Sequence, residues 1–128
     1  MGRLVLFLLK RYDSMEKIFE QALLYDFYGD LLTDHQKQVY ESAVFNDMSL
    51  GEIAAEQGIS RQGVHDLIKR CDKILQDYES KLHLVERFEK AKEKIARIEA
   101  LTDPAKNVKV ENKLTEIRKL AGDLLDTL

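Results

Sequence analysis

Seven residues in one short stretch have side chains suited to holding nucleic acid: Ser60, Arg61, Gln62, His65, Lys69, Arg70 and Lys73. Arg and Gln carry planar, two-pronged groups that read base edges through paired hydrogen bonds. Lys and Arg hold phosphates. Arg61, His65, Lys69 and Lys73 recur at intervals of four, which lines them up along one side of a helix. Gln62 and Arg70 flank that line, and Ser60 opens it. Asp66 falls in the same face and would repel a phosphate. A solvated helix face can have the same composition, so residue type leaves two readings open, a groove binder and an ordinary charged surface.

The charge balance argues for caution about the first. The whole chain has a formal net charge of -3 and a predicted pI near 5.6. From Leu31 to Lys81 there are six basic and nine acidic residues, so this part too is net negative. A duplex binder of this composition needs its positive charge gathered locally.

Other chemistries find little support. His35, His65 and His83 lie 30 and 18 residues apart, with no Cys/His or Glu-x-x-His grouping that would make a metal site. The single cysteine, Cys71, excludes a disulfide framework within the chain and reads as a small buried hydrophobe. A reducing, cytoplasmic compartment fits it. No glycine-rich phosphate loop is present. No Ser, Cys or Lys sits beside an activating base. The expectation is a protein that is not an enzyme and needs no cofactor.

The elements that must position the seven residues can be read from caps and apolar spacing. Ser49 is placed to cap a helix, and Glu52 three residues later completes the pattern of a capping box. Ile53 and Ala54 carry that helix to Gly58, which supplies a left-handed terminator. Ile59 should turn inward, and Ser60 caps the next helix. Val64, Leu67, Ile68 and Cys71 follow at helical spacing as its buried face. Helix, glycine turn and second helix make a helix-turn-helix, whose second helix can enter a major groove.

Around this unit the chain reads as all-α, with one Pro, six Gly and abundant Leu, Lys and Glu. Ile18, Phe19, Ala22, Leu23, Phe27 and Leu31 predict an amphipathic helix over 15–31. Tyr25 and Tyr28 fit a core role there, and Gly29 should loosen or stop the helix. Thr33 and Gln36 predict a second capping box, with Val39, Tyr40, Ala43 and Val44 buried behind it. The helix that opens at Ser60 shows no break through Leu82 and extends toward Val85. Glu86–Lys90 and Glu93–Arg97 are favourable helical ion pairs. Phe88, Ile95, Ile98 and Leu101 form a narrow stripe, and Thr102-Asp103-Pro104 ends the helix. Val110, Leu114, Ile117, Ala121, Leu124 and Leu128 alternate spacings of four and three, a heptad seam. The two helices around Pro104 suggest an antiparallel helical hairpin. Leu4 to Leu9 is too short to span a bilayer, and no cleavage site follows, so no membrane role is expected.

LYDFYGDLLTDHQKQVY, SLGEIAAEQGISRQGVHDLIKR and YESKLHLVERF together resemble the YlxM family of small helix-turn-helix proteins from Gram-positive bacteria, over residues 15 to about 90. LLTDHQ through LIKR also resembles region 4 of bacterial sigma factors, which recognises promoter elements. Gly63 stands where the family usually has Ala, and His65 where it usually has Tyr. The family's genes neighbour those of the signal recognition particle protein and its receptor. The resemblance therefore implies a regulator that binds duplex DNA, in or near the protein-targeting pathway, or a module that docks on signal recognition particle protein or RNA.

The expected organisation is an N-terminal extension over 1–14, a helix-turn-helix bundle over 15–85 and a C-terminal helical hairpin over 86–128. The apolar seam of the last helix predicts a homodimer.

Overall fold

The computed structural model describes the backbone of residues 2–103 and 109–127 and the side chains of residues 15–103 and 109–127. The described residues form an all-α protein: α1 (Gly2–Tyr28), a 3-10 turn (Gly29–Leu31), α2 (Asp34–Val44), α3 (Leu50–Gln57), α4 (Arg61–Leu82), α5 (Leu84–Leu101) and α6 (Val110–Thr127). They divide into two units, Met1–Leu82 and His83–Leu128. Among the described residues no helix is long and apolar enough to cross a membrane.

In the first unit, α1 begins at Gly2, so the backbone of the expected extension is continuous with the helix read from residue 15. The helix ends at Gly29, where a Cβ would stand 2.9 Å from the Tyr25 ring. Close approach of that ring, rather than loss of helix propensity alone, calls for glycine. The buried face of α1 differs from the expected one. Leu24 and Tyr28 are buried, together with Leu32 beyond the turn, while Ile18, Phe19, Phe27 and Leu31 are exposed. Apolar residues surround this helix on most sides, so periodicity left its rotation undetermined. The tyrosines settle it: Tyr28 donates a 2.6 Å hydrogen bond to Glu79 and Tyr25 donates to Glu41, which turns their side of α1 toward α4 and α2.

The capping box of α2 is complete. Gln36 N–H donates to Thr33 Oγ1 at 3.2 Å, and Thr33 N–H donates to Gln36 Oε1 at 2.9 Å. At α3, Ser49 Oγ accepts from Glu52 N–H at 3.1 Å, but the Glu52 carboxylate takes the Ser49 hydroxyl rather than its backbone N–H. Half of that box therefore forms. Val39 of α2, Ile53 and Ala54 of α3 and Val64 of α4 close the core, with Ala43, Met48, Leu67 and Ile68 packed around it.

The second unit is an antiparallel hairpin of α5 and α6. Lys94 reaches Thr127, while Arg97 makes a two-pronged contact with Glu116, Nε to Oε1 at 2.6 Å. Arg97 thus pairs across the hairpin instead of with the expected Glu93; Glu86–Lys90 forms as read, at 3.0 Å. The Arg97 guanidinium holds the Glu116 carboxyl below its usual range. The helix expected to run toward Val85 breaks at His83, whose φ of 55° is left-handed. The heptad seam also differs. Ile117 and Leu124 are half-buried beside Lys113, Glu116, Leu120, Asp123 and Thr127, whereas Val110, Leu114 and Ala121 face solvent. The bonds of Glu116 and Thr127 to α5 turn that polar-edged side inward. Leu128 and Pro104 lie outside the described residues.

Candidate nucleic-acid interface

The turn between α3 and α4 is built by backbone geometry. Gly58 has φ 67°, and no atom of the described residues lies within 4 Å of where its Cβ would be. Its requirement for glycine is therefore conformational, because L residues are strained at positive φ. Gly58 and Ile59 N–H groups both donate to Ala54 carbonyl oxygen, closing α3. Ile59 is 37% exposed, so the residue expected to turn inward only partly does. Ser60 Oγ accepts from Gly63 N–H at 2.9 Å and caps α4. A methyl at Gly63 would sit 3.1 Å from that same oxygen, so glycine leaves the cap uncrowded.

Val64, Cys71 and Leu75 face the core from α4. Opposite them, at helical spacing, Gln62, Asp66, Lys69 and Lys73 occupy the middle of the outward face, all exposed, with Arg70 at its edge. Lys69, Arg70 and Lys73 form no ion pair among the described residues. Gln62 Nε2 donates to Asp66 Oδ1 at 2.9 Å.

The structure sets two of the seven residues apart from that row. Arg61 folds back across the start of α3, its guanidinium Nε 3.1 Å from where a Gly51 Cβ would be. His65 lies on the shoulder of α4, half-buried. Its Nδ1 is shielded from solvent, has no hydrogen-bond partner among the described residues and lies 3.7 Å from Asp66 Oδ1, beyond hydrogen-bond reach. The four-residue spacing placed Arg61 and His65 in one line with the lysines. The helix instead centres Gln62 and Asp66 in it.

What fixes this rotation of α4 is a set of partly buried bonds. Tyr40 O–H donates to Asp72 Oδ1 at 2.6 Å, and Gln21 Nε2 donates to both Asp72 oxygens at 2.9 and 3.1 Å. One carboxylate thus ties α4 to α2 and α1. Tyr28 reaches Glu79 two turns later and stacks on Tyr78 with ring centroids 6.0 Å apart. Burial, then the bond to Asp72, raise the Tyr40 hydroxyl's pKa well above the ordinary phenol range. Burial pushes the Cys71 thiol up to about 11. Asp72, Tyr40 and Gln21 were absent from the sequence-based site. Their signal was a tyrosine amid apolar spacing on a short helix, which needs a polar partner once buried.

A family profile described as "Putative helix-turn-helix protein, YlxM / p13 like" matches residues 15–117. The UPF0122 protein YlxM of Bacillus subtilis is 42% identical over 93 residues, covering 73% of this chain and 84% of that protein. A UPF0122 protein of Bacillus velezensis is 40% identical over 104 residues, 81% of this chain and 92% of that protein. A UPF0122 protein of Caldanaerobacter subterraneus is 51% identical over 77 residues, 60% of this chain and 66% of that protein, just under two thirds of its length.

Proposed function

From a chain that belongs to the YlxM/p13-like helix-turn-helix family, we propose a regulator that binds duplex DNA and lays the first turns of α4 in the major groove. The observation that carries this reading is the outward row of α4. Three cations without carboxylate partners among the described residues, Lys69, Arg70 and Lys73, stand about two to three and a half turns beyond a helix start capped by Ser60. In this reading Gln62 and Arg61 reach base edges, Arg61 by swinging off Gly51. Lys69, Arg70 and Lys73 hold phosphates on either side of the groove. His65, with its Nδ1 turned inward, offers its other edge to the backbone or a base.

Each phosphate contact contributes about 0.9 to the slope of log affinity against log salt. Titration of the full chain against a pool of duplexes at 50 and 200 mM salt tests the proposal. Removing one lysine should then weaken binding to all sequences and flatten the slope by about 0.9. Binding that is absent, or indifferent to salt, would refute it.

The second reading is docking on the signal recognition particle protein or its RNA. The protein arm of that reading draws on the net negative balance of residues 31–81, which suits a basic protein partner better than a polyanion, the RNA included. Titrating the purified particle protein and RNA separately, with duplex DNA as competitor, separates the two readings. We also propose a homodimer. Its support is the exposed apolar row Val110, Leu114 and Leu125 on α6. A second copy could cover such a row and would present two helix-turn-helix units to paired half-sites.

A further inference from the structure

We infer that Asp66 is a specificity-determining residue, whose carboxylate selects a cytosine by accepting a hydrogen bond from its N4 amine in the major groove. The inference rests on the DNA reading above and deepens it.

Asp66 sits in the middle of the outward face of α4, one turn after Gln62, one turn before Lys69 and two before Lys73. Its side chain is 59% exposed. A carboxylate there cannot be a phosphate contact, since like charges repel, and it weakens the attraction of its lysine neighbours for the backbone. The place where it is favourable is over base edges that present donors. In the major groove those are the exocyclic amines, and acidic side chains pair with N4 of cytosine. Guanine O6 and N7 and thymine O4 are acceptors and would face the carboxylate with no proton between them. The same charge that lowers general affinity therefore raises discrimination.

The carboxylate is also held in a defined orientation. Gln62 Nε2 donates to Oδ1 at 2.9 Å, while Oδ2 accepts from no group among the described residues. One oxygen is thus engaged by Gln62, and the other keeps its lone pairs available. A Gln and an Asp four apart on any exposed helix can form such a bond, and by itself it adds little to helix stability. What distinguishes this pair is its location. It lies directly after the capped start of the second helix, where a helix-turn-helix places its base-reading residues.

The test is selection of duplexes from a random pool by the full chain, by Asp66→Ala and by Asp66→Asn, at two salt concentrations. Circular dichroism checks that each variant keeps its helical content. Wild type should enrich a motif that contains a cytosine position. Asp66→Ala should lose preference at that one position by about tenfold, the scale of a good base contact, while gaining affinity for unselected duplexes. Asp66→Asn keeps an acceptor for Gln62 and adds a donor, so it should move the preference away from cytosine. It also gives the answer should the alanine variant unfold. Unchanged motifs in the variants would overturn the inference and leave DNA binding standing. A wild-type chain that enriches nothing at either salt would remove the DNA reading and this inference with it.

Discussion

Tyr40→Phe is the most informative single change in the scaffold. Tyr40 is fully buried, and among the described residues its hydroxyl makes one hydrogen bond, 2.6 Å to Asp72 Oδ1. Phenylalanine keeps the ring and its stacking on Tyr25, so the substitution removes that bond and little else. A hydrogen bond to a charged group contributes about 1.5–3 kcal/mol, and Asp72 retains Gln21, so the expected cost lies in that range. Asp72→Ala should cost at least as much, because it strands the Tyr40 hydroxyl in the core. The double mutant should cost less than the sum of the two, since the shared bond is lost only once. Urea denaturation of the four proteins measures this at neutral pH. The alkaline limb adds a second check. Tyr40's folded pKa is raised above its unfolded value, so its contribution is complete below about pH 10 and is lost as pH rises past that. Tyr40→Phe should therefore lose stability less steeply than wild type above about pH 10. Additive single mutants, or identical alkaline slopes, would refute the network as the element that holds α4.

Four further outcomes follow from the geometry. Gly58→Val should cost about 1–3 kcal/mol through strain at positive φ, read as a lowered denaturation midpoint. Cys71, buried with its thiol pushed up to about 11, should resist alkylation at pH 8 until the chain unfolds; rapid labelling of the folded protein would contradict its burial. The Glu116 carboxyl is lowered by Arg97, so its contribution is present above the ordinary glutamate pKa and lost on acidification. Glu116→Gln should then flatten the acid dependence of hairpin stability, by a small amount because both groups are exposed. Leu114→Glu with Leu125→Glu should shift sedimentation of the full chain toward a slower species, and a wild-type monomer at micromolar concentration would rule out the proposed dimer.

Local signals in the sequence were strong wherever a single residue does the work. Gly58, the Thr33 box and the Ser60 cap could be read directly, because each answers a backbone requirement that few residue types meet. Rotation of a helix about its own axis was harder to read. α1 and α6 both carry more apolar residues than one face can hold, so their periodicity was right and their phase was not. The deciding contacts, Tyr28 to Glu79, Tyr25 to Glu41 and Glu116 to Arg97, join residues 16 to 51 positions apart. No local pattern reports such pairs. The same limit explains why the four-residue spacing lines Arg61 and His65 up with the lysines, while the helix carries them to its shoulder.

That network also bears on the acidic balance that weighed against DNA. Of the nine acidic residues between Leu31 and Lys81, Glu41, Asp72 and Glu79 accept from buried or half-buried tyrosines of α1 and α2. Their charge remains, but Asp72 and Glu79 lie about a quarter turn or more around α4 from the row of Lys69 and Lys73, at 100° per residue. What a polyanion meets is the local field of the face that docks, weighted by distance and screened beyond roughly 8–10 Å at ordinary salt. On that face the described ions are Asp66 and Asp77 against Lys69, Arg70 and Lys73, a narrowly positive local count within a negative domain. Under the proposed DNA reading, such an arrangement would attract duplex weakly at large and more strongly at the one surface that fits. Low general affinity with a steep dependence on α4 is therefore the behaviour this charge distribution favours.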